Sequence, residues 1–400
     1  MSKTIIIIGA GLAGLSATLQ AAENGCNVKL VSSLPSERAQ SVMAEGGINA
    51  ALNTKDENDS PEEHFTDTIK AACGLADPNA VWGMTQAAPE LVHWLLKLGV
   101  KFNMSGYDDV DLRNFGGQKK KRTAFAQSDT GKQIMTAMID AVRRKEASGM
   151  VERFSHHSFL TLRLCGNICC GCVIRDEYSQ ETVELPGDAV IVATGGMHGL
   201  FGNTTGSLSN TGEVTAELFR LGVPLANGEM IQYHPTTVKC GGKRMLISEA
   251  ARGEGGRLFA MKDGKQWYFM EEKYPELGNL MPRDITAREI WKVSHESEVF
   301  LDMTEISEEI ISNKLSGLAD DCMTYLHKDI RKEPVSVLPG IHYFMGGILV
   351  DEQHRTPIQN LYAAGECCAQ YHGANRLGGN SLLGALYGGR VAAKSACEQA

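Results

Sequence analysis

The sequence lacks an excess of positive charge, a long apolar run and a charged leader ahead of an apolar segment. Its 39 Lys and Arg residues against 48 Asp and Glu residues give a formal net charge of −9, which argues against nucleic acid or an anionic membrane surface as the main partner. No apolar run reaches the roughly 18 residues that a membrane-spanning helix needs, and no signal peptide precedes the apolar residues 5–8. We therefore expect a cytoplasmic protein that does not insert directly into a membrane.

The eleven cysteines do not form a recognisable metal site. The tightest group comprises Cys165, Cys169, Cys170 and Cys172. Thiolates at such short spacings could bind zinc or iron, but no second Cys/His cluster completes a four-ligand site. Residues 161–175 also have the Gly-Asn turn and the β-branched flanks of a hairpin. We therefore predict structural thiols and no metal.

Glycine is what the sequence has in excess, at 43 of 400 residues, or about 11% against an average near 7%. Gly9, Gly11 and Gly14 form a G-x-G-x-x-G loop between a predicted strand over 5–8 and a predicted helix over 15–24. In such a βαβ unit the first glycine allows a tight turn, the second lets the backbone approach a pyrophosphate, and the third packs helix on strand. The helix N-terminus attracts phosphate, so this segment predicts dinucleotide binding.

The end of the second predicted strand, over 28–31, departs from the NAD-binding pattern. It is followed by Ser32-Ser33, where an acidic residue usually binds the ribose of NAD. A serine can still hydrogen-bond a ribose hydroxyl, so Ser32 remains a candidate cofactor contact. The missing carboxylate weakens a plain NAD interpretation.

Two further apolar segments, 188–196 and 361–366, also read as strands that end in glycine. Strands of this kind that lie far apart in the chain indicate one doubly wound sheet. The polar segment between them contains its own helices and strands. We predict an α/β fold, with a Rossmann-like doubly wound domain over 1–230 and 341–400 and an α+β capping domain inserted over 231–340.

Several separate motifs follow one another along the chain. They are AEGGINAA at 44–51, FGG at 115–117 with RT at 122–123 and DTG at 129–131, QYHP at 232–235, EAARGEGG at 249–256, PRD at 282–284, HYFMGG at 342–347, GE at 365–366 and HGANRLGGNSL at 372–382. With these motifs the sequence resembles, over nearly its whole length, the flavoprotein subunits of fumarate reductase and succinate dehydrogenase and their relatives, including L-aspartate oxidase. The resemblance implies an FAD-dependent oxidoreductase.

The resemblance also implies where the FAD lies. Glu213 stands where the family has an aspartate, and Glu366 would bind ribitol or ribose hydroxyls. The implied contacts are Gly9, Gly11, Gly14 and Ser32 along the phosphates and ribose, Ser41, Gly46 and Gly47 along the flavin, Glu213, Glu366, and Ser381 and Leu382 at the pyrimidine edge of the ring.

Gln40 occupies the position at which membrane-bound members of the family attach FAD through a histidine. An amide cannot form that link, so we predict non-covalent FAD. A covalent flavin tends to have a raised potential, so its absence favours fumarate reduction over succinate oxidation.

By the same resemblance, the active site binds a small dicarboxylate, which needs two anion clamps. His234, His342 and Arg376 would supply cations or donors, and Ser248 a hydroxyl; the planar guanidinium of arginine suits a carboxylate. Reduction of fumarate needs a hydride from flavin N5 and a proton at the other olefin carbon. The resemblance implies that Arg283 donates this proton and that Glu249 and Arg252 return it.

Three alternatives stay open. L-aspartate oxidase uses the same fold, although its members usually have Cys-Gly-Gly where this chain has Met345-Gly346-Gly347. A reductase of another activated alkene is a second possibility. A catalytically silent flavin-binding scaffold is the third, because the family normally continues past the position of Ala400 into a helical C-terminal domain. Membrane-bound relatives receive electrons from an iron–sulfur subunit, so such a subunit or another electron donor is the expected partner.

Overall fold

A computed structural model describes residues 2–106 and 109–399. In these ranges the helices α1 to α11 are Leu12–Glu23, Pro61–Ala71, Pro78–Leu98, Thr130–Ala147, Glu213–Arg220, Glu249–Gly253, Phe269–Lys273, Arg283–Val293, Glu308–Lys314, Ser316–Asp321 and Asn380–Gln399. The strands β1 to β21 are Thr4–Ile8, Asn27–Ser32, Ile48–Asn49, Leu112–Arg113, Thr123–Ala124, Val151–Ser155, His157–Cys165, Ile168–Asp176, Thr182–Pro186, Ala189–Val192, Leu225–Ala226, Ile231–Cys240, Lys243–Leu246, Arg257–Lys262, Lys265–Trp267, Val299–Asp302, Val335–Ser336, Leu338–Phe344, Gly347–Leu349, Leu361–Ala363 and Cys368–Ala369.

The central sheet has the strand order β20-β10-β1-β2-β6 and is parallel throughout. In its register Ile6 lies opposite Val190 on one side and Lys29 on the other. Parallel strands buried on both faces are continuous apolar runs, and residues 5–8 are buried without alternation. The predicted α/β fold assembled from distant segments is therefore confirmed.

Alternate residues of β1 face two different layers, as the two-residue period of a strand requires. Ile5 and Ile7 belong to a core that includes α1, α3, α4 and α11. Ile6 and Ile8 belong to a second core with residues of the antiparallel sheet β7-β8-β9 and of α5. The central sheet thus lies between a helical layer and a layer that includes this antiparallel sheet.

Helices α1 and α11 pack closely on one another in the helical layer. Gly389 allows this contact, because an added Cβ there would overlap the carbonyl oxygen of Ala13. Helix α1 begins at Leu12, three residues before the predicted start, because the amide of Leu15 already bonds to the carbonyl of Gly11 at 2.9 Å. The glycine loop and the first helical turn therefore overlap.

The segment predicted as an inserted domain contributes two antiparallel sheets, β13-β12-β18 and β15-β14-β16-β17. Its apolar residues between 247 and 337, together with Phe115, form a separate core. Strand β18 runs from Leu338 to Phe344, so the boundary expected at 340 falls within a strand. The division into domains stays a prediction.

The cysteine-rich segment forms the predicted hairpin, with β7 and β8 antiparallel and the turn at Gly166 and Asn167. Within the described residues no group of three or more His, Cys, Asp or Glu side chains is arranged to hold a metal. In the same ranges, no helix combines the length and the apolar character needed to cross a bilayer.

Candidate active site

A cavity of about 920 Å³ opens at the carboxyl ends of the central strands and extends to the sheet β13-β12-β18. Its volume lies within the usual range of about 300–1,000 Å³ for ligand pockets. The predicted site residues on its wall are Gly9, Gly11, Ser32, Ser41, Gly46, Gly47, Glu213, Glu366, Ser381, Leu382, His234, Ser248, Glu249, Arg283, His342 and Arg376, together with Gln40. Of the predicted set only Gly14 and Arg252 lie behind this wall.

The glycine loop has the shape of a phosphate cradle. Gly9 has a φ of +111°, and an added Cβ would overlap the carbonyl oxygen of Ala193. A Cβ at Gly14 would overlap the carbonyl oxygen of Gly9, so this glycine lets helix pack on strand as predicted. An added Cβ at Gly11 would lie 3.8 Å from the Cβ of Ala39 and from Oγ of Ser41, so this glycine is not required by crowding within the protein. The loop and the start of α1 thus fit a pyrophosphate.

Polar groups at the ends of the strands also fit a dinucleotide. The buried hydroxyl of Ser32, at the end of β2, has no hydrogen-bond partner among the described residues. A ribose hydroxyl would supply one. Glu213 begins α5 and is exposed at the cavity edge.

The end of the cavity at which the resemblance implies the flavin is formed by two distant segments. Gly47, with a φ of +133°, leaves no room for a Cβ against the Thr123 methyl group, which would be 2.6 Å away. Ser41 accepts a hydrogen bond from the amide of Leu12 at 3.4 Å. Ser381 and Leu382 belong to the first turn of α11, where the helix dipole favours negative charge.

Glu249 lies at the centre of a buried chain of charges. Its Oε2 accepts a hydrogen bond from Arg283 Nε at 2.7 Å and forms an ion pair with Arg283 Nη2 at 2.5 Å. Its Oε1 accepts the amide of Gly116 at 2.8 Å and lies 3.5 Å from Arg252 Nη2. Arg252 in turn donates to the carbonyl of Asn279 at 2.6 Å. Helix starts place these groups, because Glu249 opens α6 and Arg283 opens α8.

The charged groups around Glu249 favour its carboxylate form. Burial opposes its ionisation, but the charges of Arg283 and Arg252 and the hydrogen bonds it accepts hold its pKa below the ordinary value. Burial lowers the pKa of Arg252, opposed by the charge of Glu249. The single carboxylate of Glu249 thus forms ion pairs with two guanidinium groups, those of Arg252 and Arg283.

His234 and His342 face each other with ring centroids 5.0 Å apart. The Nδ1 of His342 lies 2.7 Å from the hydroxyl of Thr205, and the Nδ1 of His234 lies 3.1 Å from the carbonyl of Thr236. Burial and the charge of Arg283 hold the pKa of both histidines well below the ordinary value. They are neutral hydrogen-bonding groups, so of the predicted clamp only the arginine is a cation.

Arg376 is the cation of the predicted clamp. Burial, followed by the charge of Arg283, lowers its pKa to about 9, so it stays charged at neutral pH. Its guanidinium carbon lies 4.6 Å from the ring centroid of Tyr343, and its buried Nε has no partner among the described residues. Ser248 caps α6 by accepting the amide of Ala250 at 3.4 Å, which leaves its hydroxyl proton free to donate.

Gln232 is a site residue that the sequence analysis did not identify. Its Oε1 accepts Arg283 Nη1 at 3.2 Å and Arg376 Nη2 at 3.0 Å. Its Nε2 donates to the carbonyl of Arg376 and to Asn375 Oδ1, both at 2.7 Å. The residue stood in a quoted motif, but no local pattern indicated that it joins two arginines.

Glu45 and His198 were also missed. Burial, followed by the charges of Asp321 and Asp129, raises the pKa of Glu45 to about 8, and this side chain lies on the cavity wall. His198 lies behind the wall with its Nε2 3.0 Å from Glu366 Oε1. Neither Glu45 nor His198 has a regular spacing to other polar residues in the sequence that would have indicated a functional role.

Comparisons with known proteins agree with this geometry. A family model described as an FAD binding domain matches residues 4–382. The succinate dehydrogenase flavoprotein subunit of Bacillus subtilis is 45% identical over 403 residues, covering 98% of this chain and 69% of that protein. The L-aspartate oxidase of Streptomyces coelicolor is 34% identical over 406 residues, which cover 98% of this chain and 68% of that protein. The FrdA chain of E. coli quinol fumarate reductase superposes with a TM-score of 0.92 at 30% identity, covering all of this chain and 70% of that one.

Proposed function

Because the chain belongs to the FAD-binding family of succinate dehydrogenase and fumarate reductase flavoprotein subunits, we propose that it interconverts fumarate and succinate. It is an FAD-dependent oxidoreductase of this type. The observation that carries the substrate proposal is the position of Arg283. It forms an ion pair with Glu249, and both Arg283 and Arg376 donate hydrogen bonds to Oε1 of Gln232. A proton donor and an anion clamp thus meet in the cavity that begins at the glycine loop.

FAD, when bound, supplies the hydride from flavin N5 to one olefin carbon. The cradle at Gly9 and Gly11 and the unpartnered hydroxyl of Ser32 would hold its phosphates and ribose. The start of α11, at Ser381 and Leu382, would face the pyrimidine edge of the ring.

The two carboxylates of the substrate would meet groups from different segments. Arg376 supplies a positive charge, while His234, His342 and Ser248 supply hydrogen bonds. These groups are buried, apart from the half-buried His342, so their interaction with a dianion is stronger than it would be in water. We propose that residues 231–340 form the domain that closes over this substrate.

Arg283 would donate the proton to the second olefin carbon. A guanidinium has a pKa above about 12, so it acts as an acid only if negative charge develops beside it and its proton is replaced at once. Glu249 is bonded to it at 2.5 Å and lies 3.5 Å from Arg252, which is the arrangement that a proton return path needs. Positioned acids of this kind contribute about 10²–10⁴-fold to a rate.

We further propose that the FAD is not covalently attached. Gln40 lies on the cavity wall, and its amide has no nucleophilic atom that could form the link. A flavin without the covalent bond favours the reducing direction. Release of the flavin into the supernatant after acid precipitation supports this proposal, and flavin retained in the pellet would contradict it.

The electron donor is proposed to be a separate protein. Relatives are named as subunits of succinate dehydrogenase and fumarate reductase, so an iron–sulfur subunit or another electron carrier would reduce this chain.

Anaerobic reoxidation of the dithionite-reduced protein tests the substrate. We expect flavin absorbance to return on addition of fumarate and the rate to fall by about 10²–10⁴-fold in Arg283→Ala. Arg288→Ala is the matched control, because Arg288 lies on the exposed face of the same helix. Absence of reoxidation by fumarate in the wild type would refute the proposal, and bleaching of the oxidised flavin by L-aspartate would favour an aspartate oxidase.

A further inference from the structure

Three polar side chains meet beside the cavity, next to the strand end at Gly196. Gln40 and Glu366 lie on the wall, whereas His198 is fully buried behind them. His198 Nε2 lies 3.0 Å from Glu366 Oε1, and Gln40 Nε2 lies 3.3 Å from Glu366 Oε2. The carboxylate of Glu366 is therefore approached by two side-chain donors, one for each oxygen.

The hydrogen bonds fix the orientation of the Gln40 amide. Its Oε1 accepts the amide of Ser207 at 3.1 Å and Asn210 Nδ2 at 3.0 Å. The amide nitrogen must then face Glu366 and His198. The nitrogens of Gln40 and His198 are 3.0 Å apart because both point towards the same carboxylate.

A proton must lie between His198 and Glu366. Two lone pairs at 3.0 Å would repel each other, so one of the two groups donates to the other. The second ring nitrogen, Nδ1, lies 2.7 Å from the hydroxyl of Thr204. His198 is thus bonded at both ends of its ring, and Glu366 also accepts the amide of Phe344 at 3.1 Å.

Neighbouring residues pack closely around the His198 ring and the Glu366 carboxylate. A Cβ at Gly206 would overlap the imidazole of His198, and a Cβ at Gly196 would lie 2.8 Å from Glu366 Oε1. The ring of Phe344 packs edge-on against His198 with centroids 4.9 Å apart. Gly206 on one side and the ring of Phe344 on another confine the histidine, and Gly196 leaves room for the Glu366 carboxylate.

We propose that His198 is a positioning residue that fixes the Glu366 carboxylate and the Gln40 amide against bound FAD, at the place where the covalent histidine is replaced. The inference rests on the proposed non-covalent FAD. Without His198, Glu366 would lose a donor and could turn away from the cofactor hydroxyls. Its negative charge would also be less compensated, which disfavours negative charge on the reduced flavin and lowers its midpoint potential.

The dissociation constant of FAD, measured by flavin fluorescence on protein stripped of its cofactor, tests this role. We expect His198→Phe, which keeps the ring but loses both nitrogens, to bind FAD about 10- to 100-fold more weakly, the effect of losing a hydrogen bond to a charged group. His198→Gln should recover most of the affinity, because its amide can still donate to Glu366.

His354→Phe is the matched control. His354 is equally buried and bonded at both ring nitrogens, to the carbonyl of Ala363 and the hydroxyl of Tyr371, but none of the three lines the cavity. This variant should lower stability while changing the FAD dissociation constant by less than about twofold. Equal loss of FAD affinity in the two Phe variants would overturn the proposal, because the effect would then be a general loss of packing.

A double-mutant cycle between Gln40 and His198 gives a second criterion, with His198→Ala in place of His198→Phe if the Phe variant does not fold. Gln40→Leu alone should weaken FAD binding, and its effect should not add to that of removing the His198 imidazole, since both residues act on one carboxylate. The midpoint potential of the flavin should fall in Gln40→Leu and in His198→Phe. Additive effects, or an unchanged potential and affinity, would overturn the inference.

These outcomes are separable from those of the proposed function. The FAD dissociation constant is measured without substrate, so a chain that fails to react with fumarate could still show the His198 effect. Flavin retained after acid precipitation of the wild type would instead contradict the non-covalent site itself.

Discussion

Replacing Gln232 with leucine would separate Arg283, the proposed proton donor, from Arg376 of the proposed anion clamp. The change removes one oxygen that holds Arg283 at 3.2 Å and Arg376 at 3.0 Å, together with a donor to the carbonyl of Arg376 at 2.7 Å. A hydrogen bond to a charged group is worth about 1.5–3 kcal/mol, and a misplacement of about 1 Å at a reacting centre can cost about 100-fold in rate. Since 100-fold corresponds to about 2.7 kcal/mol, we expect kcat for fumarate reduction to fall by about 100-fold.

The glutamate variant separates position from charge. Gln232→Glu keeps the shape of the side chain but places a negative charge between two guanidinium groups. It should offset the charge that attracts a dianion, so we expect the KM for fumarate to rise, whereas Gln232→Leu should act mainly on kcat. Different shifts of kcat and KM in the two variants would support a positioning role.

The assay is anaerobic oxidation of a reduced artificial electron donor by fumarate, followed by absorbance and repeated from pH 6 to 9 for each variant. Gln370→Leu is the control, because Gln370 is equally buried and its side chain is hydrogen-bonded to the carbonyl of Asp351, and not to Arg283 or Arg376. If Gln232→Leu retained kcat within about twofold of the wild type, well under the cost of one such hydrogen bond, the argument that this amide aligns Arg283 would be refuted.

Two further predictions concern stability. Arg122 is fully buried between Asp59 and Asp67, at 2.8 and 3.0 Å, so Arg122→Met should lower the free energy of unfolding in urea by about 3–5 kcal/mol, whereas Lys121→Met, at an exposed neighbour, should leave it nearly unchanged. Burial lowers the pKa of His354 from 6.5 to about 4. Between these two pH values His354 is therefore protonated in the unfolded chain and neutral in the folded protein. The free energy of unfolding should fall as pH drops from 6.5 towards 4, and His354→Phe should remove that part of the slope; an unchanged slope would contradict the linkage.

The parts of the fold that followed from the sequence were those set by neighbouring residues. The continuous apolar run at 5–8 and the glycine spacing that follows it predict strand, turn and helix without reference to the rest of the chain. The roles of Gly9 and Gly14 followed in the same way, because each depends on backbone within the same βαβ unit or on the adjacent strand. The sequence predicts the start of α1 three residues too late, because the glycine loop already contributes to the first helical turn.

The relations between distant side chains could not be predicted. His198 and Gln40 are 158 residues apart, and Gln232 and Arg376 are 144 apart. A lone histidine or glutamine carries no period and no spacing that would indicate its partner. The sequence also left open whether His234 and His342 act as cations or as donors, because burial and the nearby charge of Arg283, which hold both pKa values well below the ordinary value, depend on distant parts of the chain.

The charge balance of the site bears on which acid it binds. Among the described residues Arg283 and Arg252 both form ion pairs with Glu249, and Arg376 forms none. Two neutral histidines complete the proposed clamp, so its positive charge is not balanced by the clamp itself. Burial, followed by the charge of Arg283, lowers the pKa of Arg376 to about 9. A dianion would balance the positive charge of the clamp with its two carboxylates. L-Aspartate brings the same two carboxylates but adds an ammonium group, and none of the side chains placed in the clamp offers it a free carboxylate. The electrostatics therefore favour fumarate or succinate over an amino acid, independently of the resemblance in sequence.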